Sequence, residues 1–479
     1  MRFLHEPPAH DLTYSDVFLV PSRSGVGSRL SVDLTVDDPT GLRIPVVAAN
    51  MTSVTGPRLA AALARRGGLG VLPQDLPLPE LDAAIRAVKD APTLVDPLVT
   101  VTRGTTIAEA LRRAPDTPGA LLTIIDADGE PERCIPVAAL RHALPESAVG
   151  DLVVDAVPAL DDEDVTDPRR AFDLIDAAGV EAVAVVHHGR IVGSLSARSA
   201  VRATLYTPAT DARGRLRVAA AVGVNGDPAA RAKALVETGV DVIVLDTAHG
   251  HQEQMLHAVR AVAALGLGVP IVAGNVVTPE AVRDLVDAGA DVLKVGVGPG
   301  AMCTTRMMTA VGRPQFSAVL DTAQAARELG ARVWADGGVR YPRDVALALA
   351  AGASAVMVGS WFAGTLEAPG EIEVDEQGRW FKSSWGMAST KAVEQRFRRL
   401  DAFELARRTL FAEGISSSRI LLDPQRPSID DLLDMITSGL RSSMTYAGAA
   451  TLPQFHERAV VGVQSAAGYE EGKALPVSW

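Results

Sequence analysis

The chain has 479 residues, 47% of them hydrophobic and only 4% aromatic, which is enough for two or three domains with large cores. A net charge of −12, from 46 basic and 58 acidic residues, argues against a nucleic-acid or membrane surface as the main partner and leaves room only for a local basic pocket. Two cysteines cannot form a disulfide framework, and with neither a signal-peptide core at Met1–Pro8 nor an apolar run of spanning length, the expected location is the cytoplasm.

Leu12–Pro21 reads as an extended lead-in. Ile44–Met51 is a first buried strand, residues 57–66 have helical spacing, and Gly68–Pro73 is a second short strand. The alternation resumes after residue 216, with apolar blocks at Arg217–Gly223, Asp241–Asp246, Pro270–Asn275, Ala290–Gly296, Arg332–Gly338 and Ser354–Ser360. Ala-, Leu- and Arg-rich segments of helical length separate them, and each block ends in Gly, Asp, Asn or Ser. Eight such units predict an α/β fold of the (β/α)8 TIM-barrel type, with functional residues on the loops after the strands; a doubly wound open sheet is the alternative.

Residues 93–205 interrupt this pattern with two segments of similar plan. The first has Leu98–Val101, a helix near 106–113 and Ala120–Gly129; the second has Ala156–Leu160, a helix near 168–178 and Ala182–Gly193. A repeat of roughly 60 residues inside a barrel loop marks a separately folding module. The expected division is therefore barrel over 1–92, insert over 93–205 and barrel again over 206–479. Within the last part, about 370–450 is a long polar excursion that begins with a hairpin at Glu371–Lys382 and suits an active-site lid.

The reaction centre is placed at Gly296-Val-Gly-Pro-Gly-Ala-Met-Cys303-Thr-Thr305-Arg306, where an apolar strand runs into a glycine-rich loop. Gly296, Gly298 and Gly300 let backbone groups approach a phosphate or cation closely, while the hydroxyls after Cys303 are able to relay protons. Cys134 lacks such a setting and is expected to pack as a small apolar residue.

Leu12–Val17, Asp246-Thr-Ala-His-Gly250, Ala273-Gly-Asn-Val276, Gly298–Arg306, Ala335-Asp-Gly-Gly338, Val358-Gly-Ser360, Ala368–Glu371 and Gly439–Met444 together resemble the IMP dehydrogenase and GMP reductase family, in order over nearly the whole chain. The resemblance implies a TIM barrel whose insert is a tandem CBS (Bateman) domain binding regulatory purine nucleotides, ATP or GTP. It makes Cys303 the nucleophile toward C2 of the purine, with Thr305 and Glu413 as its catalytic companions. Substrate binding would fall to Asn50, Met51, Asp336 on the ribose, Gly338, Gly359 and Ser360 on the 5′-phosphate, and Gly386, Met387 and Glu413 on the base. Asp246, Thr247, Ala248, Gly296 and Gly298 would line the nicotinamide cofactor, and the carbonyls of Gly298, Gly300 and Cys303 match those that hold potassium in many dehydrogenases.

Both reactions of the family pass through the same thioimidate, so other residues must separate them. Arg396-Phe397 lacks the phenol of the dehydrogenases' water-activating Arg-Tyr pair, and Ala49-Asn-Met51 is similar to the reductases. Against this, Thr390 stands where reductases place a Glu, leaving Glu413 and Glu394 as substitute acids. Ala301 and Ser384 replace a phosphate-binding Ser and Tyr. The balance favours GMP reductase, with NADPH, GMP and IMP as its small molecules and a homotetramer or octamer as its assembly. IMP dehydrogenase with NAD is the alternative, and a catalytically silent purine-nucleotide sensor is the alternative of another class.

Overall fold

A computed structural model describes residues 1–385, 401–410 and 417–473. Its centre is a closed parallel barrel of eight strands: β1 (Val46–Ala48), β2 (Leu69–Leu72), β3 (Ala219–Val222), β4 (Val242–Asp246), β5 (Ile271–Val276), β6 (Val292–Val295), β7 (Arg332–Asp336) and β8 (Ala355–Val358). Each strand pairs with the next in sequence, and β8 closes on β1 through Val356 and Val46. The barrel, rather than the open sheet, is the architecture. Most strands are shorter than the apolar blocks of the sequence, although β4 ends with its block at Asp246 and β5 runs one residue past its own; Asn50 and Met51 lie beyond the end of β1.

Local sequence explains the repeating unit. Asp227 and Thr278 cap helices that begin with Pro228 and Pro279, supplying acceptors to orphan N–H groups while proline fills a position that needs no donor. The same helices end in left-handed Gly239 and Gly289. Two residues later Asp241 and Asp291 stand immediately before the next strands, and their carboxylates accept the Val218 and Ile271 N–H groups, each at 2.8 Å. Helix stop, strand start and register are thereby set within five residues at each site. The alanine-rich helices pack on the Val- and Ala-rich strands in one continuous core that includes Trp334, Phe316 and Phe362.

Residues 93–205 form two three-stranded sheets with the same topology. In the first, Thr100–Thr102 runs parallel to Leu121–Ile125, which pairs antiparallel with Pro131–Pro136. In the second, Ala159–Asp161 runs parallel to Ala182–His187, which pairs antiparallel with Arg190–Ser196. Each sheet has its own apolar cluster, and a small third cluster of Leu121, Cys134, Ala182 and Ala184 joins them. Cys134 is a packed thiol, 5% exposed.

The two ends of the insert lie side by side on the helix Pro57–Arg65, where Arg65 donates to the Pro92 carbonyl at 3.2 Å and the Ala209 N–H donates to the Ala64 carbonyl at 2.8 Å; just inside, Asp96 and Ser194 exchange backbone hydrogen bonds of 2.8 and 3.0 Å. It is fastened there by charge. Arg202, on the insert helix Ala197–Leu205, reaches Asp431 at 2.7 Å and Asp434 at 2.8 Å on the helix Ile429–Tyr446, while Arg66 forks onto Asp430 at 3.0 and 2.7 Å. Past the eighth strand, the expected hairpin is present as Glu373–Val374 and Trp380–Trp385, extended by Ser417–Leu421. Ser384 bonds Ser53 at 3.1 Å and so ties this sheet to the loop after β1.

Candidate active site

At the mouth of the barrel lies a cavity of about 240 Å³. Its walls include Met51 after β1, Ala248 after β4, Cys303 and Thr305 after β6, Asp336 and Gly338 at the end of β7, and Gly359 and Ser360 after β8. With Gly300, which also lines it, nine residues expected from the sequence thus converge from five different loops. Asn50, Asp246, Thr247, Gly296 and Gly298 are absent from the cavity wall, and Gly386, Met387 and Glu413 lie outside the described residues.

Cys303 is exposed, and its thiol is 3.2 Å from the Thr305 hydroxyl. The Gly300 carbonyl accepts the Cys303 N–H at 3.0 Å and closes the loop into a turn. Gly296 is the residue this loop cannot replace: its φ is +148°, and a Cβ there would sit 2.0 Å from the Asp336 carbonyl oxygen. Its expected place beside a cofactor becomes a place in the packing between β6 and β7. Gly337 and Gly338 both have positive φ and bring bare backbone to the cavity wall, packed against Pro299 and Gly300 of the cysteine loop, while Gly359 and Ser360 line the same cavity from β8. Ala301 also lines the cavity, whereas Ser384 is buried and held by Ser53.

The residue that organises the polar side of the site was not singled out from the sequence. Lys294, inside β6 and 3% exposed, reaches the Asp246 carboxylate at 2.6 Å and the Asp336 carboxylate at 2.8 Å, and also bonds the Asn275 side chain. Burial opposes its charge, but the two carboxylates outweigh that penalty and hold the ammonium above the usual lysine range. Gly274 makes room for it, since a Cβ there would lie 2.7 Å from that of Lys294. Asn275 adds bonds of 2.9 Å to Asp336 and 2.6 Å to the Gly296 carbonyl.

The two aspartates are left in different states. Asp246 has both oxygens engaged, one by Lys294 and the other by Asn50 at 3.0 Å. In Asp336 both side-chain bonds land on Oδ2, so Oδ1 has no protein donor among the described residues. One carboxylate is locked and the other retains an oxygen for an outside hydroxyl. The sequence signals for this arrangement were a lysine in a wholly buried strand and the Gly274-Asn275 pair before it.

A (β/α)8 barrel that gathers an exposed thiol, bare glycine backbone and a half-free carboxylate in one cavity has the parts of an enzyme acting on a small polar molecule. The chain belongs to the IMP dehydrogenase / GMP reductase family, whose domain model matches residues 11–474. It is 53% identical to GMP reductase of Mycobacterium tuberculosis (strain ATCC 25618 / H37Rv), over all of both chains. It is 38% identical to inosine-5′-monophosphate dehydrogenase of Aquifex aeolicus (strain VF5), over 96% of this chain and 94% of that one. Among solved structures it is similar to a cysteine-to-alanine variant of GMP reductase from Trypanosoma brucei in complex with guanosine 5′-monophosphate, with a TM-score of 0.69, 32% identity, and coverage of 98% of this chain and 99% of that one.

Proposed function

We infer that this chain acts as a GMP reductase, converting GMP to IMP and ammonia at the expense of a reduced nicotinamide, NADPH. The observation that carries this reading is the full-length identity of 53% to a GMP reductase, set against 38% to a dehydrogenase of the same family. The exposed thiol beside Thr305 supports turnover over a silent sensor, since nucleotide sensing needs no nucleophile.

Cys303 adds its sulfur to C2 of GMP, the C2–N bond breaks, and the amine leaves as ammonia with a proton that started on the thiol. Thr305, 3.2 Å from the sulfur, is placed to pass that proton on, with Glu413 as the further acid carried over from the family pattern. The free Oδ1 of Asp336 takes the ribose hydroxyls, since a carboxylate oxygen accepts bonds from a vicinal diol. The 5′-phosphate sits on the backbone of Gly338, Gly359 and Ser360, consistent with the loss of side-chain help at Ala301 and Ser384.

The cofactor face fits these residues: Ala248 shares the thiol's cavity, and the Thr247 N–H is fixed to the Gly274 carbonyl at 2.9 Å. NADPH, when bound there, supplies the hydride that C2 receives as the C2–S bond breaks and the thiolate leaves. No step is routed through potassium, and one of its three expected carbonyls, Gly300, already accepts the Cys303 N–H.

The two insert sheets are read as a tandem CBS pair taking regulatory ATP or GTP, and the assembly as a homotetramer or octamer in the cytoplasm. Among the described residues no helix is long and apolar enough to cross a membrane. The decisive measurement follows nicotinamide absorbance with GMP plus NADPH and, separately, IMP plus NAD. Turnover in the first mixture alone is expected; turnover in the second alone replaces this reading by the dehydrogenase.

A further inference from the structure

The pairing of β6 with β7 ends where Val295 lies opposite Ala335. Past that point the two strands lead to different parts of the site, one into the loop that carries Cys303 and the other into Asp336 with its half-free carboxylate. One side chain spans them. Gln315 donates from Nε2 to the Val295 carbonyl at 2.8 Å and to the Asp336 carbonyl at 3.1 Å. An amide nitrogen has two hydrogens, so these bonds use up its donors, one on each strand. Its Oε1 is buried with no protein partner among the described residues, so the amide bonds from its nitrogen alone.

Gln315 is 3% exposed and does not line the thiol cavity, which it backs from behind. A Cβ on Gly296 would come within 3.0 Å of its Nε2, and a Cβ on Gly338 would meet its own Cβ at 3.6 Å. The side chain is also held from outside. It opens the helix Gln315–Glu328, where Leu12 and Ser317 exchange bonds of 2.8 and 3.2 Å and the neighbouring Arg313 pairs with Asp11 at 2.7 Å and Asp321 at 2.6 Å. A strut anchored at its base can set a distance at its tip.

We propose that Gln315 is a positioning residue for the reaction: it fixes the backbone of Asp336 against the strand that leads to Cys303, and so sets the distance between the ribose anchor and the nucleophile. This rests on reading the substrate as a purine ribonucleotide whose diol Asp336 accepts. Lys294 and Asn275 orient the carboxylate through Oδ2, while Gln315 holds the main chain from which that carboxylate hangs. Residues of the same length do not replace it. Methionine has no donor, and an ionised glutamate would set a charge against two carbonyl oxygens. A shift of about 1 Å at an anchor of this kind costs up to about 100-fold in rate.

The test compares GMP with 2′,3′-dideoxy-GMP, whose sugar offers Asp336 nothing to hold, in steady-state assays of the full chain with NADPH. In Q315M, kcat/KM for GMP should fall by about 30-fold, mostly in kcat, and for the dideoxy nucleotide by no more than about threefold. A merely structural role would lower both alike, as should R202M, which removes a buried contact far from this bridge. Q315N keeps both hydrogens but withdraws them by one carbon; it should show the same ordering with a loss of about tenfold for GMP, and it decides the matter should Q315M not fold. Equal losses for the two nucleotides, or a folded Q315M with the parent kcat/KM, overturn the proposal. Parent turnover of IMP with NAD in place of GMP with NADPH would instead replace the reductase reading, and the comparison then runs with IMP and 2′,3′-dideoxy-IMP, which carry the same two sugars.

Discussion

At the barrel centre one cation, Lys294, is shared by two carboxylates, Asp246 and Asp336. At the seam between insert and barrel three arginines, Arg66, Arg198 and Arg202, meet three carboxylates, Asp430, Asp431 and Asp434. Both clusters are largely buried, yet they differ in balance. The seam is evenly matched: Arg66 and Arg202 outweigh burial to hold Asp430 below the usual carboxylate range, and every partner faces another side chain. The centre is short of donors, so one oxygen of Asp336 remains available to something that is not protein. An evenly matched buried cluster fixes two bodies together, whereas one left short of a donor is a place to bind.

The comparison can be broken from either side. The largest effect should come from Cys303→Ala, which leaves both clusters whole and removes only the nucleophile: turnover of GMP should fall by about 10³-fold or more while GMP binding, measured by calorimetry, persists. Lys294→Met should damage stability and chemistry together. It strands two carboxylates, at a cost of about 3 kcal/mol in urea unfolding, and misplaces Asp336 enough to lower kcat by about 100-fold. A variant that keeps wild-type kcat would show that Lys294 does not position the site.

Arg202→Met tests the other half of the contrast. A similar loss, about 2–3 kcal/mol, is expected in urea, but with kcat for GMP within about threefold of the parent chain. A collapse of kcat in this variant would mean that the seam is part of the catalytic machinery.

The smallest effect is acid sensitivity, which should bypass both clusters. Burial, then Arg327, lowers His456 to about 4, below its value of about 6.5 in an unfolded chain. The folded state therefore binds fewer protons between these values, and stability is complete above about pH 6.5 and is lost as pH falls toward 4, by no more than about 3 kcal/mol. Lys294 stays charged throughout this window because its pKa is raised. His456→Gln, which retains a donor for the Ala353 carbonyl now 3.1 Å from Nε2, should flatten the slope in urea titrations. An unchanged slope would assign it to other groups.

The barrel was legible because its information is local. Proline and a capping side chain open the helices, glycine closes them, and an apolar block follows, all within a few residues of one another. Cys303 was legible for a similar reason, as a rare residue at the end of a glycine-rich loop. Lys294 was not, since a lysine in a strand says nothing about which way it points until the barrel closes and brings Asp246 and Asp336 to either side. The seam is less readable still: Arg66 and Asp430 are 364 positions apart, and neither carries a local pattern that names the other. Asn50 shows the intermediate case. Its importance was visible, but its amide turned out to hold Asp246 rather than line the cavity.

The meeting of the insert's two ends at Ala64 and Arg65 bears on how such a chain arises. Because the two ends of the insert meet, the barrel need not stretch or open to accommodate what lies between them. The intervening hundred or so residues form a cassette that a short turn can replace, or that another cassette with adjoining ends can succeed, without altering how the eight strands close. Inheritance is thus free to shuffle the inserted element while the chemistry stays on a frame that does not register the exchange.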